Sequence, residues 1–216
     1  MLLLLAAAVA TPASAARLEV RVTGPDGPVA GAVVSLHGDA LALPGGPRSA
    51  VIDQVRVQFA PRVSVVETGA SVSFPNSDDV LHHVYSFSPA KRFELPLYSG
   101  RPSSPVVFDQ PGVVVLGCNI HDQMIAYVVV LDTPVHAVTG ADGVVALEAP
   151  AGEYALQVWH ERLGQTPWRA PQALGAGGGE RAVELVFPAA TPAPAPGGSE
   201  RLRQLQERLR ASGRGG

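Results

Sequence analysis

The sequence predicts an all-β protein folded as a small antiparallel sandwich. Short runs of alternating apolar and polar residues recur from about residue 17 to residue 187, and these runs lack a helical period. The chain contains 23 glycines and 20 prolines, which break helices and mark the turns between strands. Its 216 residues are enough for one large domain or two small ones.

Residues 1–16 are expected to act as a secretory signal. A short apolar run precedes Ala13-Ser14-Ala15, the small-x-small pattern that a signal peptidase accepts. The run is too short to cross a bilayer, and no later segment approaches the ~20 apolar residues that a membrane span needs. We therefore expect export, to a bacterial periplasm, and no transmembrane segment.

Residues 17–49 are predicted to hold two strands and a turn. Alternating apolar residues at Leu18, Val20 and Val22 predict the first strand. The turn sequence Gly-Pro-Asp-Gly follows it. The extended run 28–36 is expected to be the second strand.

Residues 50–132 carry most of the predicted strands. The alternation of Val55, Val57 and Phe59 predicts one strand. Further strands are expected at the apolar runs 63–65, 72–74, 80–87, 113–116 and 125–131. Many short strands without a helical period are typical of an antiparallel sandwich.

Residues 133–187 continue this pattern, and the end of the chain departs from it. Strands are expected at 144–147, 154–160 and 181–187. Residues 188–216 begin as a linker of proline, alanine and glycine and end in a basic tail. Within this tail a short helix is expected over residues 199–211.

Charge is distributed unevenly along the chain. The last 17 residues hold five arginines and two glutamates, a charge of +3, so with a net charge of −3 the rest of the chain carries −6. An acidic body of this kind disfavours a nucleic-acid partner. The tail is expected to be solvated, and weak contact with an acidic partner or an anionic membrane surface is the alternative.

One short loop holds the least common residues of the chain. Cys118 is the only cysteine, Met124 is the only methionine after the first residue, and His121 lies between them. In an oxidising compartment an unpaired cysteine is an intermolecular partner, a reactive thiol or a metal ligand. A thiolate, an imidazole and a thioether form a soft donor set that suits copper, and the pair His82-His83 offers a second imidazole. The alternative is that the cysteine and the methionine only fill a core.

Two motifs resemble those of cupredoxins, the small blue copper proteins. The run 69–84 resembles their first-histidine segment, Gly-x-x-Val-x-Phe/Trp-x-Asn followed by a histidine, and Asn76 precedes His82 by the matching six residues. The loop 118–124, Cys-x-x-His-x-x-Met, is similar to the ligand loop of the amicyanin type. The sequence around both motifs is also similar to that of exported proteins described as methylamine-utilisation or plastocyanin-like.

The resemblance implies a Greek-key cupredoxin sandwich over residues 50–132 that binds one type 1 copper ion. Strand alternation places His83 on the more apolar-looking side with Leu81, Tyr85 and Phe87 and by itself favours His83 as the upstream ligand. The interval from Asn76 favours His82, so His83 is the runner-up. By the resemblance, the four ligands are His82, Cys118, His121 and Met124.

The resemblance also gives Asn76 a role beside the metal. In cupredoxins such an asparagine forms hydrogen bonds to the Cys loop, and bonds of this kind orient the ligands. The alternative, from the residues alone, is that Asn76 caps a turn before Asp78 and Asp79.

The segments on either side resemble a second family. Residues 27–36 and 141–154 are similar to carboxypeptidase-regulatory or collagen-adhesin-B-like domains, which are small transthyretin-like β-sandwiches. This resemblance implies that residues 17–49 and 133–187 form one such sandwich. The cupredoxin domain would then be inserted at an exposed turn of it.

For function, the resemblance to cupredoxins implies transfer of single electrons between redox proteins that dock transiently near His121. No substrate bond is made or broken in this role, so the chain is not expected to be an enzyme. Two other functions stay open: periplasmic copper trafficking or storage, and a structural β-sandwich whose copper site has lapsed. The small number of methionines and histidines favours electron transfer over trafficking.

Overall fold

The secondary structure is entirely β within the residues that the computed structural model describes, 15–46, 48–102 and 104–188. These ranges contain eighteen strands and one 3-10 helix, and they contain no α-helix, so the all-β prediction is confirmed. None of the described helical residues forms a segment long and apolar enough to cross a membrane. The predictions for the signal up to residue 14 and for the linker and tail from residue 189 lie outside the described residues.

The strands fall into three consecutive groups. The first group comprises β1 (Ala15–Gly24), β2 (Gly27–Pro28) and β3 (Val33–His37). The second comprises β4 (Ser49–Val51), β5 (Asp53–Gln54), β6 (Phe59–Ala60), β7 (Val63–Glu67), β8 (Ala70–Ser73), β9 (His82–Ser88), β10 (Lys91–Tyr98), β11 (Val106–Phe108), β12 (Gly112–Gly117) and β13 (Ile125–Leu131). The third comprises β14 (His136–Val138), β15 (Val144–Pro150), β16 (Gly152–Trp159), the 3-10 helix Glu161–Leu163, β17 (Trp168–Leu174) and β18 (Gly179–Glu184).

The first and third groups together form the first sandwich. One of its sheets has the order β15-β1-β18 with β2 beside β1, and the other has the order β14-β3-β16-β17. Every second residue of β1 from Ala16 to Val22 is buried, as the alternation in the sequence predicts. β1 starts at Ala15, so its first two residues overlap the predicted signal segment. The core between the two sheets includes Leu18, Val20, Val22, Leu36, Leu147, Leu156 and Val158.

The second group forms the second sandwich, and its strands pair only with one another within the described residues. A five-stranded sheet has the order β10-β9-β12-β13-β7. The smaller sheets β11-β8-β4 and β5-β6 complete this unit. Their shared core includes Val72, Phe74, Val84, Phe108, Val114, Leu116 and Val128.

A third apolar cluster joins the two sandwiches. Val33 and Trp159 of the first sandwich pack with Val113, Val129 and Leu131 of the second. Strands β12 and β13 therefore bury residues on both faces. Burial on both faces explains why these strands are almost continuous runs of apolar residues rather than alternating ones.

Six strands were missed by the sequence prediction, and the two longest of them are β10 and β17. β10 pairs with β9 and β17 pairs with β16, each at the outer edge of its sheet. Apart from Leu174, the residues of these strands are only intermediate or exposed. β10 was missed although Phe93, Leu95 and Leu97 alternate along it, whereas β17 is interrupted by Pro171 and has no clear apolar period.

The strand predicted from Val55, Val57 and Phe59 is wrong, because the chain reverses there. The backbone N–H of Val55 donates to the carbonyl of Gln58 at 2.9 Å, and the reverse bond measures 3.2 Å. The two residues between them, Arg56 and Val57, have φ angles of 56° and 59°. This arrangement is a two-residue hairpin turn of the primed type, which joins β5 to β6.

Candidate metal centre

Three side chains from two separate segments of the sequence converge at one end of the second sandwich. The ligand atoms of His82, Cys118 and His121 all lie within 4.8 Å of one another. The Nδ1 atoms of His82 and His121 are 3.2 Å apart, and the Sγ atom of Cys118 lies 3.8 Å from Nδ1 of His121. The sequence placed all three among the metal ligands.

Adjacent strands bring these side chains together. His82 opens β9 and Cys118 follows the last residue of β12, and the two strands pair through Tyr85 and Gly117. The loop after Cys118 then turns back into β13. A bond of 2.9 Å from the Met124 N–H to the carbonyl of His121 closes that turn.

The site is buried except at His121. His82 is 0% exposed, and Cys118 and Met124 are also fully buried in the core of the second sandwich. His121 is intermediate in exposure, so this residue is partly accessible from the surface. Met124 shares the apolar cluster of Cys118, and its part as an axial ligand stays a prediction.

His83, the runner-up ligand, is outside this group of side chains. Its Nε2 atom lies 2.8 Å from the carboxylate of Glu94, and its ring packs 5.5 Å from that of Tyr85. The apolar-looking side of β9 is in fact the outer one, because Leu81 and Phe87 are 50% and 71% exposed. The inner side carries His82 and Val84, together with two buried serines.

Asp78 is a neighbour of the site that sequence reasoning missed. Its Oδ2 atom lies 2.8 Å from Nε2 of His82 and accepts the backbone N–H of Val57 at 2.8 Å. Its Oδ1 atom accepts the backbone N–H of Arg56 at 2.6 Å. Burial acts to raise the pKa of Asp78, but the bonds from Val57, His82 and Arg56 outweigh it and lower that pKa.

Asn76 organises the segment before His82. Its Oδ1 atom accepts the backbone N–H of Asp78, and its Nδ2 donates to the carbonyls of Val80 and Tyr98 at 2.8 and 2.9 Å. These bonds correspond to the turn that the residues alone suggested. Among the described residues, its side-chain hydrogen bonds do not include one to the Cys loop.

The donor set fits a copper ion. Two imidazole nitrogens and a thiol sulfur face one buried point, and this combination of donors is typical of copper sites with a cysteine and two histidines. With Nε2 of His82 directed at a carboxylate, the ring proton belongs on Nε2, and the lone pair of Nδ1 is directed toward the other two donors.

A second group of hydrogen-bonded polar side chains lines a cavity of about 390 Å³ between the sandwiches. The Oγ atom of Ser35 lies 2.8 Å from Nε2 of His37, whose Nδ1 lies 2.6 Å from Oδ1 of Asp132. The order of these contacts is that of a hydrolytic triad. Ser35, however, is buried in the interior of β3, between β14 and β16, where the sheet ladder uses the backbone donors that an oxyanion would need. We therefore assign this network to the joining of the two sandwiches.

Comparison with known proteins gives structural likeness only. No protein-family model matches the chain, and no curated protein matches it. Among solved structures, the chain is similar to the Cu-containing nitrite reductase (NirK) from Thermus scotoductus SA-01, with 23% identity, a TM-score of 0.36, and 45% of this chain and 25% of that chain covered. The match thus spans only a quarter of the length of the reductase.

Two smaller proteins are matched over most of their own length. A purple cupredoxin from Nitrosopumilus maritimus has 21% identity and a TM-score of 0.33, with 39% of this chain and 99% of that chain covered. A mutant of amicyanin in the Cu(I) state has 20% identity and a TM-score of 0.35, with 38% and 82% covered.

Proposed function

We propose that this protein is an exported type 1 copper protein that transfers single electrons between redox partners. The observation that supports it is the convergence of His82 Nδ1, His121 Nδ1 and Cys118 Sγ on one point. Met124 is proposed as the axial ligand, because it ends the same loop and is buried in the same cluster. Copper held by these residues would supply a one-electron couple.

The surrounding fold suits this role. His82 and Cys118 are held by paired strands of a packed sheet, so these donors would keep one arrangement with both Cu(I) and Cu(II). The absence of rearrangement lowers the barrier to electron transfer. Because this role breaks no substrate bond, we assign no catalytic residue.

A redox partner would approach the exposed edge of His121. Ile120 and Ile125 lie on either side of it in the sequence and are 48% and 40% exposed. The rim also carries charge, because Asp122 is exposed and the Arg62 guanidinium donates to the Ile125 carbonyl at 3.2 Å. A small contact surface of this kind suits a transient complex. The partner would be another exported redox protein.

The domain organisation is also part of the proposal. We place a cupredoxin domain at residues 50–132 and a transthyretin-like sandwich at residues 17–49 and 133–187. Strand pairing within each of the two sandwiches supports this division. Residues 1–16 would direct the chain to the periplasm, and residues 188–216 would form the linker and basic tail.

The test is to add Cu(II) to the purified protein and to record its visible absorption and electron paramagnetic resonance spectra. We expect an intense thiolate-to-copper band and a small hyperfine splitting, both absent from the Cys118→Ser variant. His82→Ala is expected to lose the band as well, and His83→Ala, the adjacent buried histidine, is the matched control that keeps it.

The other outcomes distinguish the competing functions. Binding of Cu(I) without a coloured Cu(II) form would indicate copper trafficking or storage. Failure to bind either ion would indicate a structural protein with a lapsed site. A band that survives His82→Ala but not His83→Ala would overturn the ligand assignment.

A further inference from the structure

The carboxylate of Asp78 has three hydrogen-bond partners around it. One of them is Nε2 of the candidate ligand His82 at 2.8 Å, and the other two are the backbone N–H groups of Arg56 and Val57. The His82 ring is 0% exposed and the Asp78 side chain is 14% exposed. This carboxylate is therefore directed at the ligand from the side of the ring that faces away from Cys118 and His121.

The turn that supplies the two amides is strained. Arg56 and Val57 both adopt left-handed φ angles, at 56° and 59°. Such turns favour asparagine and glycine, and a β-branched residue at positive φ is an outlier. A left-handed conformation is unfavourable for a residue that has a side chain, so another interaction must hold it.

Two hydrogen bonds to the Asp78 carboxylate compensate for this unfavourable conformation. Two successive backbone N–H groups point at a single carboxylate, Arg56 N to Oδ1 at 2.6 Å and Val57 N to Oδ2 at 2.8 Å. Concave pairs of amides of this kind bind anions. Asn76 fixes the backbone of Asp78 from the other side by accepting its N–H at 3.0 Å. The carboxylate is thus held in position by both its backbone and its oxygens.

We propose that Asp78 is a positioning residue for the metal ligand His82, held in place by the strained β5–β6 turn. Its carboxylate accepts a hydrogen bond from Nε2–H of His82. This bond selects the tautomer in which Nδ1 carries no proton, and it fixes the plane of the ring. A carboxylate partner also makes the imidazole a stronger donor and favours the more positive, oxidised state of a bound metal. This inference rests on the proposed function, and its first test does not require metal.

The first test is nuclear magnetic resonance of the metal-free wild-type protein. Long-range proton–nitrogen correlations report which ring nitrogen of His82 carries the proton. We expect the proton on Nε2, and its exchange with water to be slow because the ring is buried. A proton on Nδ1 would overturn the proposal.

The second test compares Asp78→Asn with Asp79→Asn, its exposed neighbour. Both variants remove one negative charge at nearly the same place, but only Asp78 contacts His82, so only the first replaces the charged acceptor of its Nε2–H by a neutral amide. We expect copper affinity to fall about 10- to 100-fold in Asp78→Asn and the reduction potential to rise. In Asp79→Asn the affinity should stay within about twofold of wild type, because an exposed charge is well screened.

The outcomes separate this inference from the proposed function. Equal affinities and equal potentials in the two variants would overturn the role of Asp78 and leave the copper site intact. A wild-type protein that binds no copper would overturn the proposed function, and with it the metal role of Asp78, even where the proton is found on Nε2. If Asp78→Asn does not fold, the tautomer in the wild-type protein still decides whether the contact exists.

Discussion

His82 and His83 show how much one position along a strand matters. Neighbouring residues of a strand point to opposite faces of the sheet. One ring therefore enters the core beside Cys118, and the other meets Glu94 at the outer face of the second sandwich. Because these surroundings differ, neither histidine can replace the other without moving the whole strand.

His136 is expected to make stability depend on pH. Burial lowers its pKa below the usual 6.5, although the nearby carboxylate of Glu67 opposes this shift. The unfolded chain therefore binds the proton more readily than the folded one. Its contribution to stability is complete above about pH 6.5 and is lost as the pH falls below that value.

The measurement is urea unfolding of the wild type and of His136→Gln at pH 7.5 and pH 5.5. We expect the wild type to lose more free energy of unfolding between these pH values than the variant does. His160, whose pKa burial also lowers, is retained in both proteins and contributes equally to both. Identical losses in the two proteins would contradict the prediction.

The β5–β6 hairpin has a well-defined turn although its two turn residues have a low propensity for the conformation they adopt. Neither residue of its turn is a glycine or an asparagine, yet both adopt positive φ angles. The Asp78 carboxylate compensates by accepting both turn amides. The tertiary contact with Asp78 therefore determines the conformation of this turn, against the local propensity of its residues.

Arg56→Asn is expected to stabilise the protein by roughly 0.5–1 kcal/mol. Asparagine tolerates the left-handed region better than arginine does, and the exposed Arg56 side chain contributes little packing. Arg92→Asn, at an exposed position of β10, is the matched control. It should be neutral or slightly destabilising because asparagine is disfavoured in strands. Chemical denaturation at neutral pH measures both changes, and a destabilising Arg56→Asn would refute the account of strain.

The two sandwiches are coupled through few residues. Each has a core of its own, and the cluster around Trp159 connects them. The Trp159 ring lies 5.3 Å from that of Tyr127, and its Nε1 donates to the carbonyl of Gly164 at 2.7 Å. We expect the wild-type protein to unfold in one cooperative transition because this contact links the two cores.

Trp159→Ala is expected to lower the free energy of unfolding by about 3–5 kcal/mol and to split the transition in two. The physical reason is that each sandwich keeps its own core while the apolar contact between them is lost. The polar contacts that remain, His37 with Asp132, Arg62 with Glu161 and Gln165 with Ser88, lie at partly exposed positions and couple the sandwiches less strongly. Differential scanning calorimetry measures both effects. Phe87→Ala, at an aromatic residue that is 71% exposed, should change the stability by less than about 0.5 kcal/mol. A single transition in Trp159→Ala would show that the sandwiches are coupled by other contacts.

Much of the β structure follows from local pattern. Alternation at Leu18, Val20 and Val22 predicts β1 and its buried face correctly. β10 was missed although Phe93, Leu95 and Leu97 alternate along it, and β17, which is interrupted by Pro171, was missed for lack of such a pattern. At the candidate metal centre, the loop spacing was sufficient to single out Cys118 and His121.

The amino-acid order alone was enough for the all-β class and for the soft donor set of the 118–124 loop, because both depend on residues close together in the chain. The choice of His82 over His83 at the cluster, the partner Asp78 and the strained turn at Arg56 depend on the folded chain. The reason is that alternation shows only that two neighbours face opposite ways. Which way is inward depends on how β9 packs against parts of the chain that are distant in the sequence, such as β12, whose Gly117 pairs with Tyr85.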